Sequence, residues 1–417
     1  MYLATLRQAL TGSASLAAAS LVVASATAMP LAALAILAAI PSTVSAQSDF
    51  PPLPASQGLG PTDAEVFPVP GEHPDPLAFG SSISPDGKDL LIGMPLYRNS
   101  TGRVAVFHKN PSGVWERVGS LEASDAREFN SFGQEVSLED DCALVSAASG
   151  LYQFRRKHGI WVQVQKSGQG QLTCEDHDVF VSEQDGVHVL RPDKRGRLDP
   201  THPRQTLTSG EGNPDIGFGL RISASGRTLA ISAPFDDEER GAVFIFTRHG
   251  SRWVRGQKLI AIDGQPGDHF GASISVSDHL IAIGAPDKPA PPDPACLPGP
   301  HGVAYVFARS GGLWFEREEI ETPRCAVGFG TDLVINRNLL AIGDFSVKFE
   351  HAGSAYVYRL TGWRFTLFGV AVGPGAGSPV FALTPTTLFI GFPFEESPWP
   401  IGGVGVYRFA HGRSDFQ

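Results

Sequence analysis

Charge is scarce and methionine almost missing in this chain. Of its 417 residues only 18 % are Asp, Glu, Lys or Arg and three are Met, which argues against a helical bundle, a coiled coil or a disordered chain. Lys and Arg number 33 against 43 Asp and Glu, for a net charge of −10, and the basic residues nowhere cluster. A phosphate backbone is held by clustered Lys and Arg, so nucleic acid is disfavoured as a partner. Catalytic motifs are missing as well. There is no His-Glu-x-x-His, no Gly-x-Ser-x-Gly and no phosphate loop, and the twelve His are scattered. The four Cys show no Cys-x-x-Cys spacing and no paired His, which speaks against a zinc site. What abounds is Gly, with 47 residues, and Pro, with 33, alongside 42 % apolar residues. Frequent turns around a large core point to an all-β fold.

Residues 1–46 carry one charge, Arg7, then small and apolar residues through Leu31 to Ile40, and end in Val44-Ser45-Ala46. This reads as a signal peptide cleaved after Ala46. An uncleaved anchor is the alternative, because Ser13 to Ile40 is long enough to cross a bilayer if the Pro30 kink is tolerated. Residues 47–62 form a Pro-rich linker with Pro51, Pro52, Pro54 and Pro61.

The rest, 63–417, is a repeat. Phe-Gly recurs at Phe79-Gly80, Phe132-Gly133, Phe218-Gly219, Phe270-Gly271 and Phe329-Gly330. A second marker is an apolar run, as in Leu90 to Pro95, Leu229 to Pro234, Leu280 to Pro286 and Leu388 to Pro393, with degenerate copies at Ala143 to Ala148, Val179 to Glu183 and Leu339 to Phe345. A third is Gly followed by alternating small and large apolar residues, from Gly102, Gly150, Gly186, Gly241, Gly302, Gly353 and Gly402. A fourth is Gly just before Trp at Trp115, Trp161, Trp253, Trp314 and Trp363, with Leu198 after Gly196 filling the place in the third unit.

Four short strands per unit, a period near 50 and no 3.6-residue periodicity describe a propeller blade. Seven units make a seven-bladed β-propeller of four-stranded antiparallel blades. The Trp are expected to pack between blades. Blade seven runs out of chain after three strands, and Glu65-Val66-Phe67-Pro68-Val69 is expected to return as its fourth. Such a splice removes both open sheet edges.

Phe270-Gly271, Ile283-Gly284-Ala285-Pro286 and Val303-Ala304-Tyr305-Val306-Phe307 resemble the FG-GAP repeat of the integrin α-subunit propeller and its bacterial relatives. The resemblance covers about 63 to 410 and implies a propeller with ligands on its loops. Integrin-like repeats often carry a calcium cage between their first and second strands. Here those turns read Ser84-Pro85-Asp86-Gly87-Lys88-Asp89, Ala224-Ser225-Gly226-Arg227, Ser277-Asp278-His279 and Asn336-Arg337-Asn338, too poor in oxygens for calcium. No cofactor and no metal are expected; Glu139-Asp140-Asp141 and Glu175-Asp176-His177-Asp178 leave room for a weak calcium ion only.

In a propeller the first-to-second turns lie on one face, and the second-to-third turns and blade connections on the other. That topology pairs Cys142 with Cys174 and Cys296 with Cys325 as disulfides, each closing a loop worth roughly 3 to 4 kcal/mol. Asn99-Ser100-Thr101 is a glycosylation sequon, meaningful in a eukaryotic source. The connection face offers ligand-binding candidates: Tyr97, Arg98, Phe235, Asp236, Asp237, Glu239, Arg240, His269, Asp287, Lys288, Asp344, Phe394 and Glu395. Aromatic rings beside carboxylates suit cationic peptide groups or sugars.

The expectation is a secreted or cell-surface monomer that binds an extracellular protein or peptide through its loops, with no catalysis and with membrane contact only through an uncleaved N-terminus. A lectin-like propeller binding glycan is one alternative, and a polysaccharide lyase or hydrolase another.

Overall fold

The computed structural model describes residues 65–66, 78–167, 172–175, 178–191, 193, 197–199, 201–289, 301–322, 326–345, 353–372, 379–384, 387–392 and 403–408. The segments expected to be a signal peptide, 1–46, and a Pro-rich linker, 47–62, lie outside them. Seven four-stranded antiparallel sheets are formed. Blade 1 comprises Ile83–Pro85, Asp89–Met94, Arg103–Lys109 and Trp115–Leu121. Blade 2 comprises Val136–Glu139, Cys142–Ala147, Gly150–Lys157 and Ile160–Ser167, and blade 3 Leu172–Glu175, Asp178–Glu183, Gly186–Leu190 and Gln205–Leu207. Blade 4 runs through Ile222–Ser225, Thr228–Ala233, Ala242–His249 and Arg252–Leu259; blade 5 through Ser273–Ser277, Leu280–Ala285, Val303–Ser310 and Leu313–Glu321. Blade 6 has Leu333–Asn336, Leu339–Gly343, Ser354–Thr361 and Arg364–Val372; blade 7 has Val380–Leu383, Thr387–Phe392 and Gly403–Arg408.

The N-terminal strand Glu65–Val66 completes blade 7, pairing antiparallel with Glu65 opposite Val406 and Val66 opposite Gly405. First strands of successive blades lie side by side, and that of blade 7 meets that of blade 1. The circle is closed as the repeat requires.

Three of the four markers now have a physical cause. The Gly of Phe-Gly donates its N–H to the second strand of its own blade in five blades, at 2.9–3.1 Å (Gly80 to Gly93, Gly133 to Ser146, Gly219 to Ser232, Gly271 to Gly284, Gly330 to Gly343). The preceding Phe turns its ring edge-on to an aromatic side chain of the third strand: Phe132 to Tyr152, Phe218 to Phe244, Phe270 to Tyr305 and Phe329 to Tyr356, with centroids 5.2–5.5 Å apart. Gly before the third strand is needed for close approach. A Cβ on Gly102 would stand 2.1 Å from the Phe132 nitrogen, and one on Gly241 2.1 Å from the Phe270 oxygen. Each of these pairs joins one blade to the next.

Trp115, Trp253 and Trp314 are buried and Trp161 is half-buried. Trp115 packs edge-on against Phe389 of blade 7, and Trp253 against Phe180 of blade 3, so the expected packing between blades holds there. A cation at the end of the third strand stands opposite each Trp and over its ring: Lys109, Arg156, Arg248 and Arg309, at 4.7–5.9 Å.

Two readings of the fourth marker are corrected. Trp363 is 63 % exposed, and buried Phe365 takes the inward place, opposite Leu360 instead of a cation. Blade 6 thus keeps the packing with an apolar pair and pushes Trp363 into the turn. Leu198 is buried with Leu144, Val179 and Leu190 but precedes the outer strand of blade 3, which is Gln205–Leu207. The amide of Gln205, in that strand, clamps the Trp253 backbone of blade 4. Its Nε2 donates to the carbonyl at 2.7 Å and its Oε1 accepts from the N–H at 3.0 Å. Gln257 does the same to Trp314 at 3.1 and 2.7 Å.

Cys142 is buried at the head of the second strand of blade 2, with Gln153 Nε2 3.8 Å from its Sγ. Cys174 stands in the first strand of blade 3, with its side chain outside the described residues; Cys296 and Cys325 lie outside them altogether.

Closure by Glu65–Val66 is tested by deleting residues 47–75. We expect the melting temperature to fall by about 5 °C or more, the order set by a few kcal/mol in a domain of this size, as read by circular dichroism.

Candidate functional site

On the connection face two turns between second and third strands share an uncommon backbone. In Tyr97–Ser100 the residues Arg98, Asn99 and Ser100 have φ of 44–57°, and after Asp236 the residues Asp237, Glu238 and Glu239 have φ of 49–64°. Three consecutive non-glycine residues in the left-handed region are costly, on the order of 1 kcal/mol each. The return lies in the next blade. The carbonyls of Asn99, Ser100 and Thr101 accept from Phe129, Ser131 and Phe132, and those of Glu238, Glu239 and Arg240 accept from Gly267, His269 and Phe270, at 2.6–3.2 Å. The left-handed run aims backbone oxygens at the blade connection and leaves the side chains to solvent.

At the joint of blades 4 and 5 this places several of the expected site residues together. The exposed Phe235 ring meets the His269 ring edge-on, with centroids 5.6 Å apart. His269 Nδ1 lies 2.8 Å from Asp287 and Nε2 3.6 Å from Glu239. The hydrogen bond to Asp287, together with the charges of Asp287, Glu239 and Asp268, holds the His269 pKa above its ordinary value against partial burial. Arg240 pairs with Asp237 at 3.1 Å and reaches Glu238 at 3.6 Å. Glu239 and Asp287, both exposed, flank a half-exposed imidazole beside an exposed aromatic ring.

Other expected residues serve the framework. Asp236 is buried with its Oδ2 2.5 Å from Lys258. Lys288, also buried, sits 2.5 Å from Asp263 and 3.9 Å from Asp268, and Tyr305 donates to Asp263 at 2.8 Å. Asp344 is buried and accepts from the Ser354 N–H at 2.6 Å and the Tyr356 hydroxyl at 2.8 Å. Tyr97 is buried beneath the guanidinium groups of Arg98 and Arg103, 5.1 and 4.1 Å from its centroid. Arg98 is exposed at the joint of blades 1 and 2, apart from the cluster at blades 4 and 5. Phe394 and Glu395 lie outside the described residues. Among the described residues no three His, Cys, Asp or Glu side chains gather to hold a metal ion.

Two residues escaped the sequence reading. Phe129 is 75 % exposed with φ of 60°, at the connection position that Gly267 fills in blade 5. Counting back three residues from each Phe-Gly would have aligned the two. Asp332 follows Gly330 by two residues, where blades 1 and 5 carry Ser82 and Ser273, and it accepts from the Phe381 N–H of blade 7 at 3.1 Å. Removal from water pushes its pKa up to about 6, against the pull of Arg221.

The FG-GAP repeat family matches residues 115–150, 203–246 and 253–307. The first and third matches begin at Trp115 and Trp253 on an outer strand and all three reach the third strand of the next blade, so each spans an inter-blade joint. The chain is a seven-bladed propeller that carries FG-GAP repeats. No curated protein matches it. Among solved structures, Kluyveromyces lactis Hsv2 aligns with a TM-score of 0.48 and 11 % identity over 77 % of this chain and 95 % of its own. The N-terminal domain of Nup159 aligns with a TM-score of 0.48 and 10 % identity over 84 % of this chain and 96 % of its own.

Two titrations follow. By NMR, His269 is expected to titrate above an ordinary histidine, and Asp287→Asn to bring it down. For Asp332, the folded pKa near 6 exceeds the unfolded value near 3.8, so the native state holds a proton that the unfolded chain has lost. Stability from this group is therefore lost as pH rises from about 4 through about 6. Asp332→Asn should raise the melting temperature at pH 7.5 and leave it nearly unchanged at pH 4, as read by calorimetry.

Proposed function

We propose that this propeller is an extracellular, non-catalytic binding module that engages a protein or peptide through the connection face at blades 4 and 5. FG-GAP propellers are commonly protein-interaction modules and often extracellular or at the cell surface. The observation that carries the finer reading is the juxtaposition of exposed Phe235 with Glu239, His269 and Asp287. A Lys or Arg side chain of the partner would lie against the Phe235 ring and reach both carboxylates. An aromatic–cation contact contributes about 0.5–1 kcal/mol at an exposed site and exposed ion pairs about as much each, so this point sets specificity while neighbouring loops add affinity.

The ring needs no calcium in this reading: the first-to-second turns are too poor in oxygens to cage one, and at the joint of blades 4 and 5 the Lys288 ammonium already stands beside Asp263 and Asp268. Enzymatic action on polysaccharide is not proposed.

The test is selection of displayed random peptides on the full ring. We expect enrichment in Lys and Arg, and a loss of at least about tenfold in affinity for the selected peptides in the Glu239→Lys, Asp287→Lys double variant, roughly 1.4 kcal/mol or more. Chelation with EDTA should change neither binding nor melting temperature. Peptides bound equally by the variant, or a glycan array lit in place of peptides, would refute the reading.

A further inference from the structure

Phe129 stands apart from the cluster just described, at the joint of blades 1 and 2, and its conformation needs a reason. A single exposed aromatic side chain is ordinary on a protein surface. This one is 75 % exposed and also has a φ of 60°, a region that disfavours residues with a Cβ. The fold does not call for phenylalanine there. Its backbone N–H donates to the Asn99 carbonyl at 3.1 Å, and Gly267 makes the same bond to Glu238 in the matching turn at 3.2 Å with φ of 85°. Glycine performs the backbone task without strain and without exposing a ring.

The charges around Phe129 are sorted. Arg103 pairs with Glu122, Lys166 with Asp125 at 2.5 Å, and Glu128 accepts from Asn99 at 3.1 Å. Among the described residues, Arg98 and Arg127 have no carboxylate within ion-pair distance. Arg98 is stacked on buried Tyr97, so its guanidinium is already positioned. The corresponding turn at blades 4 and 5 has Asp237 and Glu238 where this one has Arg98 and Asn99. Two equivalent backbone joints therefore present side chains of opposite sign.

We propose that Phe129, Arg98 and Arg127 form a second docking surface, for an extended polypeptide segment that carries an acidic residue next to a large apolar one. The apolar side chain covers the Phe129 ring and the carboxylate meets the guanidinium groups, whose planar donors suit a carboxylate bidentately. The net charge of −10 opposes an acidic ligand only at long range, because the Debye length at physiological salt is about 8 Å and contact distances are shorter. This surface does not rest on the reading of the blade 4 and 5 site.

The experiment uses the full ring and a displayed library of random peptides, followed by the best enriched sequence as a synthetic peptide. Peptides that depend on Phe129 are expected to combine Asp or Glu with a large apolar residue. Phe129→Gly should weaken them at least tenfold while leaving the melting temperature unchanged or higher. Arg98→Glu with Arg127→Glu should abolish binding, and Glu239→Lys with Asp287→Lys should leave it intact. A fall in melting temperature for Phe129→Gly would assign the ring to the fold and overturn the proposal. A library that yields no Phe129-dependent peptide, or peptides without acidic residues, would overturn it as well.

Discussion

Neighbouring blades touch through backbone at distances that leave no room for a Cβ, and the rest of the ring depends on that contact. At Gly102 against Phe132, Gly241 against Phe270 and Gly302 against Phe329, a side chain on the glycine would collide with main chain at 2.1–2.2 Å. Backbone cannot step aside as a flexible side chain can. The close approach seats each Phe-Gly aromatic ring in the joint, where an edge-to-face pair adds about 0.5–1.5 kcal/mol beyond the area it buries. A four-stranded blade has two apolar faces and no core of its own, so stability accumulates joint by joint until the first and last blades meet.

Away from the connection face the joints are fixed by buried charge as well as by rings. Asp89 of blade 1 receives Arg156 of blade 2 and, at 2.8 Å, His108. Asp178 of blade 3 receives Arg191 at 2.7 Å, Arg248 of blade 4 at 3.5 Å and the Trp253 indole N–H at 3.2 Å. Blade 5 has Leu280 at the corresponding head of its second strand, and no such pair. Buried ion pairs are weak sources of net stability, because desolvation offsets much of the Coulomb gain, but a lone buried carboxylate would be strongly destabilising. The pairs therefore distinguish one joint from another more than they strengthen the ring.

This division explains which parts could be read from the sequence. Phe-Gly, the glycine before the third strand and most of the Trp were legible because each answers a steric demand repeated at the same register, and repetition is visible in one chain. The N-terminal strand of blade 7 was legible for a related reason, since a closed ring leaves one strand to be supplied. The outer strand of blade 3 was not, because buried Leu198 keeps the spacing of the marker while the segment that pairs is the later Gln205–Leu207. Trp363 misled because the marker Gly-Trp was kept while the inward place passed to Phe365. Half of the site was legible as a collection of loop residues. Their sorting was not: Asp236, Lys288 and Asp344 look like surface charges in sequence, and burial beside partners from elsewhere in the chain decides otherwise.

The left-handed turns show how a repetitive scaffold acquires an uneven surface. Each turn must hand three carbonyls to the next blade, a demand on backbone alone, so it specifies φ and ψ while leaving side-chain identity almost open. Arg98-Asn99-Ser100 and Asp237-Glu238-Glu239 meet the same demand with opposite charge. Phe129 and Gly267 meet the partner demand with and without a ring. Strain in these turns is then a property of the joint and by itself says nothing about ligands. What carries information is a side chain that departs from the cheapest residue for the backbone task. By that criterion the connection face does not present seven equal surfaces. It presents a few unlike ones, wherever a joint tolerates residues that its own geometry does not require.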